Sequence, residues 1–226
     1  MLEVLVVMIL LALIAGSLVM GSGQLASARL KRTATMVTGA VRVAFTRATA
    51  TSKPQRLVFD MQEQKIWLEE GDAPMLVTDK DKTGTGGADA VTVAEQQAVA
   101  EGAGILQGPR PPRPRFHAVE SMGFASQSGA KGPHPLERGI TFREVQSMHD
   151  DKPRNAGRAY LYFWPGGQTE RSSIQLRIGA SEEDRYTLTL LVAPLTGKVT
   201  IKPGAVALTV PTDDTSASDR QDRGGF

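Results

Sequence analysis

The sequence contains no cysteine, which excludes disulfides, thiolate metal sites and a cysteine nucleophile. It also lacks a dominant charge. Lysine and arginine total 26 against 24 acidic residues, a net charge of +2, which is too small for the concentrated basic patch that nucleic acid demands. No nucleic-acid partner is expected. The three histidines, His117, His134 and His149, stand far apart with no helical ligand spacing, so each reads as a loop histidine and neither a metal nor another cofactor is expected. The stretch from Asp79 has oxygen ligands at alternate positions like a calcium loop, but Ala90 occupies the place of the bidentate glutamate. The run KTGTGG at residues 82–87 lacks the Lys-Ser/Thr of a phosphate loop and reads as a flexible tip. No serine sits in a G-x-S-x-G elbow, and no carboxylate pair is singled out by its surroundings. Nothing in these residues argues for an enzyme.

What is present begins with one long apolar run. Residues 4–20 form a run of seventeen residues whose apolar character is broken only by Gly16 and Ser17, at the short end of what spans about 30 Å of hydrocarbon. A membrane helix over residues 2–21 competes with a cleaved signal peptide, because Ala26-Ser27-Ala28 has the small-residue character of a cleavage site. Signal peptides start with basic residues, whereas the one early charge here is Glu3, which favours the membrane helix. A lone carboxylate at the edge of hydrocarbon costs a few kcal/mol unless it is paired. Glu3 therefore either needs a partner or sits at the helix N-terminus, where the dipole favours an anion.

The helix is expected to continue. Leu30, Ala34, Val37, Val41, Ala44, Phe45 and Ala48 recur at spacings of three and four, which paints an apolar stripe on one face. Arg29, Lys31, Arg32, Arg42 and Arg47 decorate the same stretch, and no acidic residue follows Glu3 until Asp60; these cations read as a solvated face or as contacts to lipid headgroups or acidic partners. Lys53 precedes Pro54, so the helix should end near Ser52. Beyond it come short β-favouring runs: RLVFD from Arg56, KIWLEE from Lys65, GITFREV from Gly139, RAYLYFW from Arg158, SSIQLRI from Ser172, YTLTLLV from Tyr186 and KVTI from Lys198. Tight-turn sequences such as Pro165-Gly166-Gly167 and Pro194-Leu195-Thr196-Gly197 separate them. Short turns imply antiparallel pairing. The expected fold is α+β, a long N-terminal transmembrane and amphipathic helix (residues 1–21 and 22–53) packed on an antiparallel β-sheet domain at residues 54–210. Residues 71–137, rich in glycine, proline and serine, read as an insertion with one helix between Ala88 and Ala103. PRPPRPR within it reads as a stiff linker, and residues 211–226 as a disordered tail.

Taken together, LEVLVVMILLALIAG, the half-apolar helix and the β-rich body resemble the type IV pilin and type II secretion pseudopilin superfamily. Within it, YLYFWPGGQTERSSIQLRI followed by YTLTLLVAPLTGKVTI resembles the C-terminal half of the H-type minor pseudopilins. The likeness covers residues 1–70 and 139–201, leaving the insertion outside. The resemblance implies a pilin-like fold and assembly rather than catalysis. Partners would be other minor and major pseudopilins, a prepilin peptidase and inner-membrane lipid, with the β-domain in the periplasm. It implies that Glu3 pairs with the N-terminal amine of a neighbouring subunit, that the stripe Leu30, Ala34, Val37, Val41 and Phe45 packs on the sheet, and that a basic leader precedes the chain and is cleaved, followed by N-methylation. Arginine after the apolar run would by itself hold the body in the cytoplasm; the basic leader reverses that. A minor pilin of a type IV pilus or DNA-uptake fibre, or a membrane-tethered β-domain, remains the alternative.

Overall fold

The computed structural model describes residues 2–75, 83–103, 113–119 and 132–208, with backbone alone at residues 2, 5, 11–24 and 103. The tail expected at residues 211–226, the stretch from Asp79 to Lys82 and the PRPPRPR segment up to Pro112 lie outside the described residues.

One helix, α1 (Leu2–Thr51), runs for 50 residues, or roughly 75 Å at 1.5 Å per residue. No proline interrupts it before Pro54. Its last turns carry threonines that bond back to the helix, Thr49 Oγ1 to the Thr46 carbonyl and Thr51 Oγ1 to the Arg47 carbonyl, both at 2.8 Å. Such bonds compete with the helical ladder. Ser52 then turns left-handed at φ 55°, the usual conformation just past a helix end.

The rest is two antiparallel sheets. The first has the order β3 (Phe116–Ala118), β2 (Lys65–Gly71), β1 (Gln55–Asp60), β6 (Arg158–Trp164) and β7 (Gln168–Thr169), with β4 (His134–Pro135) also pairing to β2. The second has the order β10 (Val199–Pro203), β9 (Thr187–Val192), β8 (Ser172–Ile178) and β5 (Ile140–Ser147). The architecture is thus α+β, a helix against antiparallel sheets. Period-two alternation sends Leu57, Phe59, Leu161, Phe163, Ile174, Leu176 and Leu190 inward, where they join Leu30, Ala34, Val37, Val41, Ala44 and Ala48 of α1 in one core. The alanines let the helix axis approach both sheets closely. Two turns close over its end: a Cβ on Gly197, whose φ is +60°, would lie 2.7 Å from the Phe45 ring, so the Pro194–Gly197 turn needs glycine there.

The central strands of the first sheet, β2, β1 and β6, are buried on both faces, as every residue of β1 illustrates. Its outer face carries Val58, Trp67, Tyr160 and Tyr162, and these pack with Met75, Ala88 and Phe116. The described part of the insertion is therefore a covering layer. Residues 83–87, read from the sequence as a flexible tip, lie against this face instead: Thr85 is fully buried, and its carbonyl accepts the Tyr162 hydroxyl. The physical reason is that buried tyrosine hydroxyls need acceptors, and glycine lets the loop come close. Gly84, at φ +68°, sits so near Arg154 that any Cβ would overlap its guanidinium. The insertion helix is α2 (Val93–Ala103), shorter than the span expected from Ala88. Its start is a capping box. Thr92 Oγ1 accepts the Glu95 N–H at 3.3 Å, while Glu95 Oε2 accepts the N–H groups of Val91 and Thr92 at 3.0 Å.

Among the described residues, the two edges of the second sheet offer little to a partner. Arg154 and Val145 exchange both backbone hydrogen bonds at 2.8 Å along the β5 edge, and β10 is five residues ending on Pro203, which has no N–H to donate.

Candidate assembly surface

The two halves of α1 meet different surroundings. From Leu30 to Ala48 its apolar stripe is buried: Leu30, Ala34, Val37 and Val41 lie in the core, and Phe45 packs half-buried against it beneath the Gly197 turn. Toward the N-terminus no strand among the described residues covers it. Val4 is 66% exposed, and Val6, Val7, Met8, Ile9 and Leu10 are all between 47% and 64% exposed. Residues 6–10 span more than a full turn at 3.6 residues per turn, so this end of the helix is apolar on every side and covered on none. An isolated helix of that kind is unstable in water; it requires hydrocarbon or other helices around it. Leu25, 62% exposed, is the last such aliphatic before the domain begins.

Glu3 lies in the first turn of α1, exposed, and takes no partner among the described residues. The structure places Glu3 and the buried stripe on one continuous helix but does not bring them together, because they sit at opposite ends of its length. The membrane span expected over residues 2–21 falls largely on residues 11–24, whose side chains lie outside the described residues. Among the described residues, no helix is long and apolar enough to cross a membrane.

Polar chemistry concentrates elsewhere, between the first sheet and its cover. Arg56 is buried between the rings of Phe116 and Tyr160, 4.4 Å from each centroid, and its Nε donates to Glu69 Oε2 at 2.6 Å. Glu69 also accepts the Trp67 indole N–H at 2.7 Å. Burial works against the Arg56 charge, but Tyr162, Glu69 and Tyr160 outweigh it and raise its pKa. The Tyr160 hydroxyl donates to Glu95 Oε1 at 2.6 Å, so the carboxylate that caps α2 also ties the insertion to β6. Burial raises the pKa of both tyrosines, with Glu95 adding to the effect at Tyr160. Arg56 and Glu69 pair with each other, and hydrogen bonds satisfy the Glu95 carboxylate, which fits a structural role.

A second cluster joins the two sheets. His149 lies in the turn after β5, and its ring Nδ1 is 2.5 Å from Glu170 Oε2, in the segment between β7 and β8. Both side chains are almost wholly buried. Asp150 Oδ1 stands 3.8 Å from the other ring nitrogen and accepts Arg154 Nε at 2.8 Å. Burial opposes a charge on His149, yet Glu170, with Asp150 behind it, outweighs that cost and raises the pKa above the ordinary histidine value. His149 is thus a turn histidine, as the sequence suggests, but one held in an ion pair that the sequence did not disclose. His117 lies exposed in β3 and His134 in β4. No group of three side chains able to hold a metal occurs among the described residues.

An open cleft of about 490 Å³ separates the end of α1 from β2 and β3. Its charges are paired: Glu70 takes Lys53 at 2.7 Å and Arg47 at 3.4 Å. The hydrogen bonds from Lys53 and Gln55 lower the Glu70 pKa.

Neither a protein-family model nor a curated protein matches the chain. Among solved structures, the minor pseudopilin EpsH from the type 2 secretion system of Vibrio cholerae is similar at 9% identity and a TM-score of 0.43, over 79% of this chain and 99% of that one.

Proposed function

We propose that the chain is a subunit of a helix-cored fibre, a minor pseudopilin of a type II secretion system. The observation that carries this reading is the uncovered end of α1. Its side chains are apolar on every side, while the same helix is anchored by Leu30 to Ala48 in a domain whose second sheet has blunted edges. A domain built this way presents one sticky element, and the partner that fits it is a set of like helices, reached from a bilayer that stores the helix before assembly. The motif around Glu3 supports the same reading.

On this reading residues 2–21 anchor the subunit in the inner membrane, the sheets lie in the periplasm, and the prepilin peptidase trims and N-methylates the terminus. Glu3 then meets the amine of a neighbouring subunit. A buried charge is tolerable only when paired, so a subunit in the wrong register leaves both charges unmatched, and assembly selects the right one. The sheet domain joins other minor pseudopilins near the fibre tip and helps drive folded proteins through the outer membrane. The test is intact mass and N-terminal sequencing of the protein from its native locus, with and without the prepilin peptidase. The expected result is a peptidase-dependent, N-methylated terminus a few residues before Glu3. An unprocessed terminus, or cleavage after Ala28, refutes it.

A further inference from the structure

Between the uncovered rod of α1 and the sheets lies a short neck with charge of one sign. Arg29, Lys31 and Arg32 fall within four residues and are all exposed. The side chains of Arg29 and Lys31 have no ion-pair or hydrogen-bond partner among the described residues, and Arg32 reaches Glu137 at 3.3 Å while staying 58% exposed. No acidic residue lies between Glu3 and Asp60, so nothing on the helix itself neutralises them. Leu25 is the last exposed aliphatic before this neck, and Leu30 is the first side chain buried in the domain. The cations thus occupy the junction between apolar rod and folded body. At 1.5 Å per residue Arg29 begins about 6 Å past Leu25. All three lie within roughly one Debye length, about 10 Å, of a surface drawn at Leu25. Their aliphatic stems can lie along the helix while the charged ends reach the phosphate layer.

We infer that Arg29, Lys31 and Arg32 form a collar that binds the headgroups of anionic phospholipids where the helix leaves the bilayer. This rests on the proposed reading that the apolar end of α1 is stored in a membrane. The collar sets the depth at which the subunit waits, because sliding α1 outward separates three cations from the lipid phosphates. Extraction into a fibre then has to break these contacts.

The test uses the full chain, delivered from detergent into a mixture of phosphatidylcholine vesicles and vesicles that also carry phosphatidylglycerol, separable by density. At about fivefold per cation, the wild type should favour the anionic vesicles by on the order of 100-fold at low salt. That preference should collapse at high salt. The variant R29Q/K31Q/R32Q should lose it while its sheet domain melts at the same temperature, since all three side chains are exposed. Entry into both vesicle types without preference, or a preference kept by the triple variant, overturns the collar and leaves the anchor standing. If the wild type lacks the preference and the triple variant fails to assemble, the cations face an acidic neighbouring subunit and the lipid collar is refuted. A chain that enters neither vesicle overturns the membrane reading as well.

Discussion

Replacing His149 tests how the two sheets are joined. In the native domain its ring is fully enclosed, bonded to Glu170, flanked by Asp150 and Arg154, and set 5.4 Å from the Tyr162 ring. His149→Ala leaves the Glu170 carboxylate buried with only the N–H groups of Tyr162 and residue 149 to satisfy it. Breaking a buried pair by removing one partner costs about 3–5 kcal/mol, a large share of the roughly 5–15 kcal/mol that holds a domain folded. At about 2–4 °C per kcal/mol for a domain of this size, Tm should drop by roughly 6–20 °C. His149→Gln, able to donate to Glu170 without charge, should lose about half as much. The pH dependence separates a charged pair from mere packing. The folded pKa of His149 is raised above the unfolded value of about 6.5. The folded state therefore binds a proton that the unfolded state releases between these values. The stabilisation is fully present below about pH 6.5 and is lost as pH rises through the folded pKa. Thermal unfolding of the full chain, followed by circular dichroism across that window, should show wild-type Tm falling toward alkaline pH and the His149→Gln profile flat. A variant within about 1 kcal/mol of wild type that retains the wild-type slope would refute the ion-pair account.

Three further outcomes follow from other contacts. Glu95→Ala removes the cap of α2 and the acceptor of the buried Tyr160 hydroxyl; about 2–4 kcal/mol should be lost, and hydrogen exchange should rise in α2 and residues 83–92 before it rises in the sheets. Gly197→Ala places a Cβ 2.7 Å from the Phe45 ring at φ +60°, so chemical unfolding should show a loss of about 1–3 kcal/mol with an unchanged m-value. If Glu3 pairs between subunits, Glu3→Leu should leave the melting of the sheet domain unaltered and abolish incorporation into the fibre, read by cross-linking and by export of the secreted proteins; normal incorporation would show Glu3 to be incidental.

Much of the helix could be read from the chain itself. The spacing of Leu30, Ala34, Val37, Val41, Ala44 and Ala48 repeats every three or four residues, and Pro54 ends the helix at a position that local sterics dictate. The strands from Arg56 to Ile201, and the turns at Pro165 and Pro194, are likewise local signals. The capping box Thr92-Val93-Ala94-Glu95 was equally present in the sequence and places the start of α2 more closely than composition did. Other features have no local signature. Nothing near Arg56 announces Glu69 and Tyr162, and nothing near His149 announces Glu170, because these partners meet only once β1 lies between β2 and β6 and the strands divide into two sheets. The insertion reads as loose because glycine and proline carry no periodicity, yet it covers a sheet face whose tyrosines and arginine need partners. Periodicity along one segment is written in that segment; the matching of buried polar groups 13, 21 or 106 residues apart depends on strand order, which only tertiary packing decides.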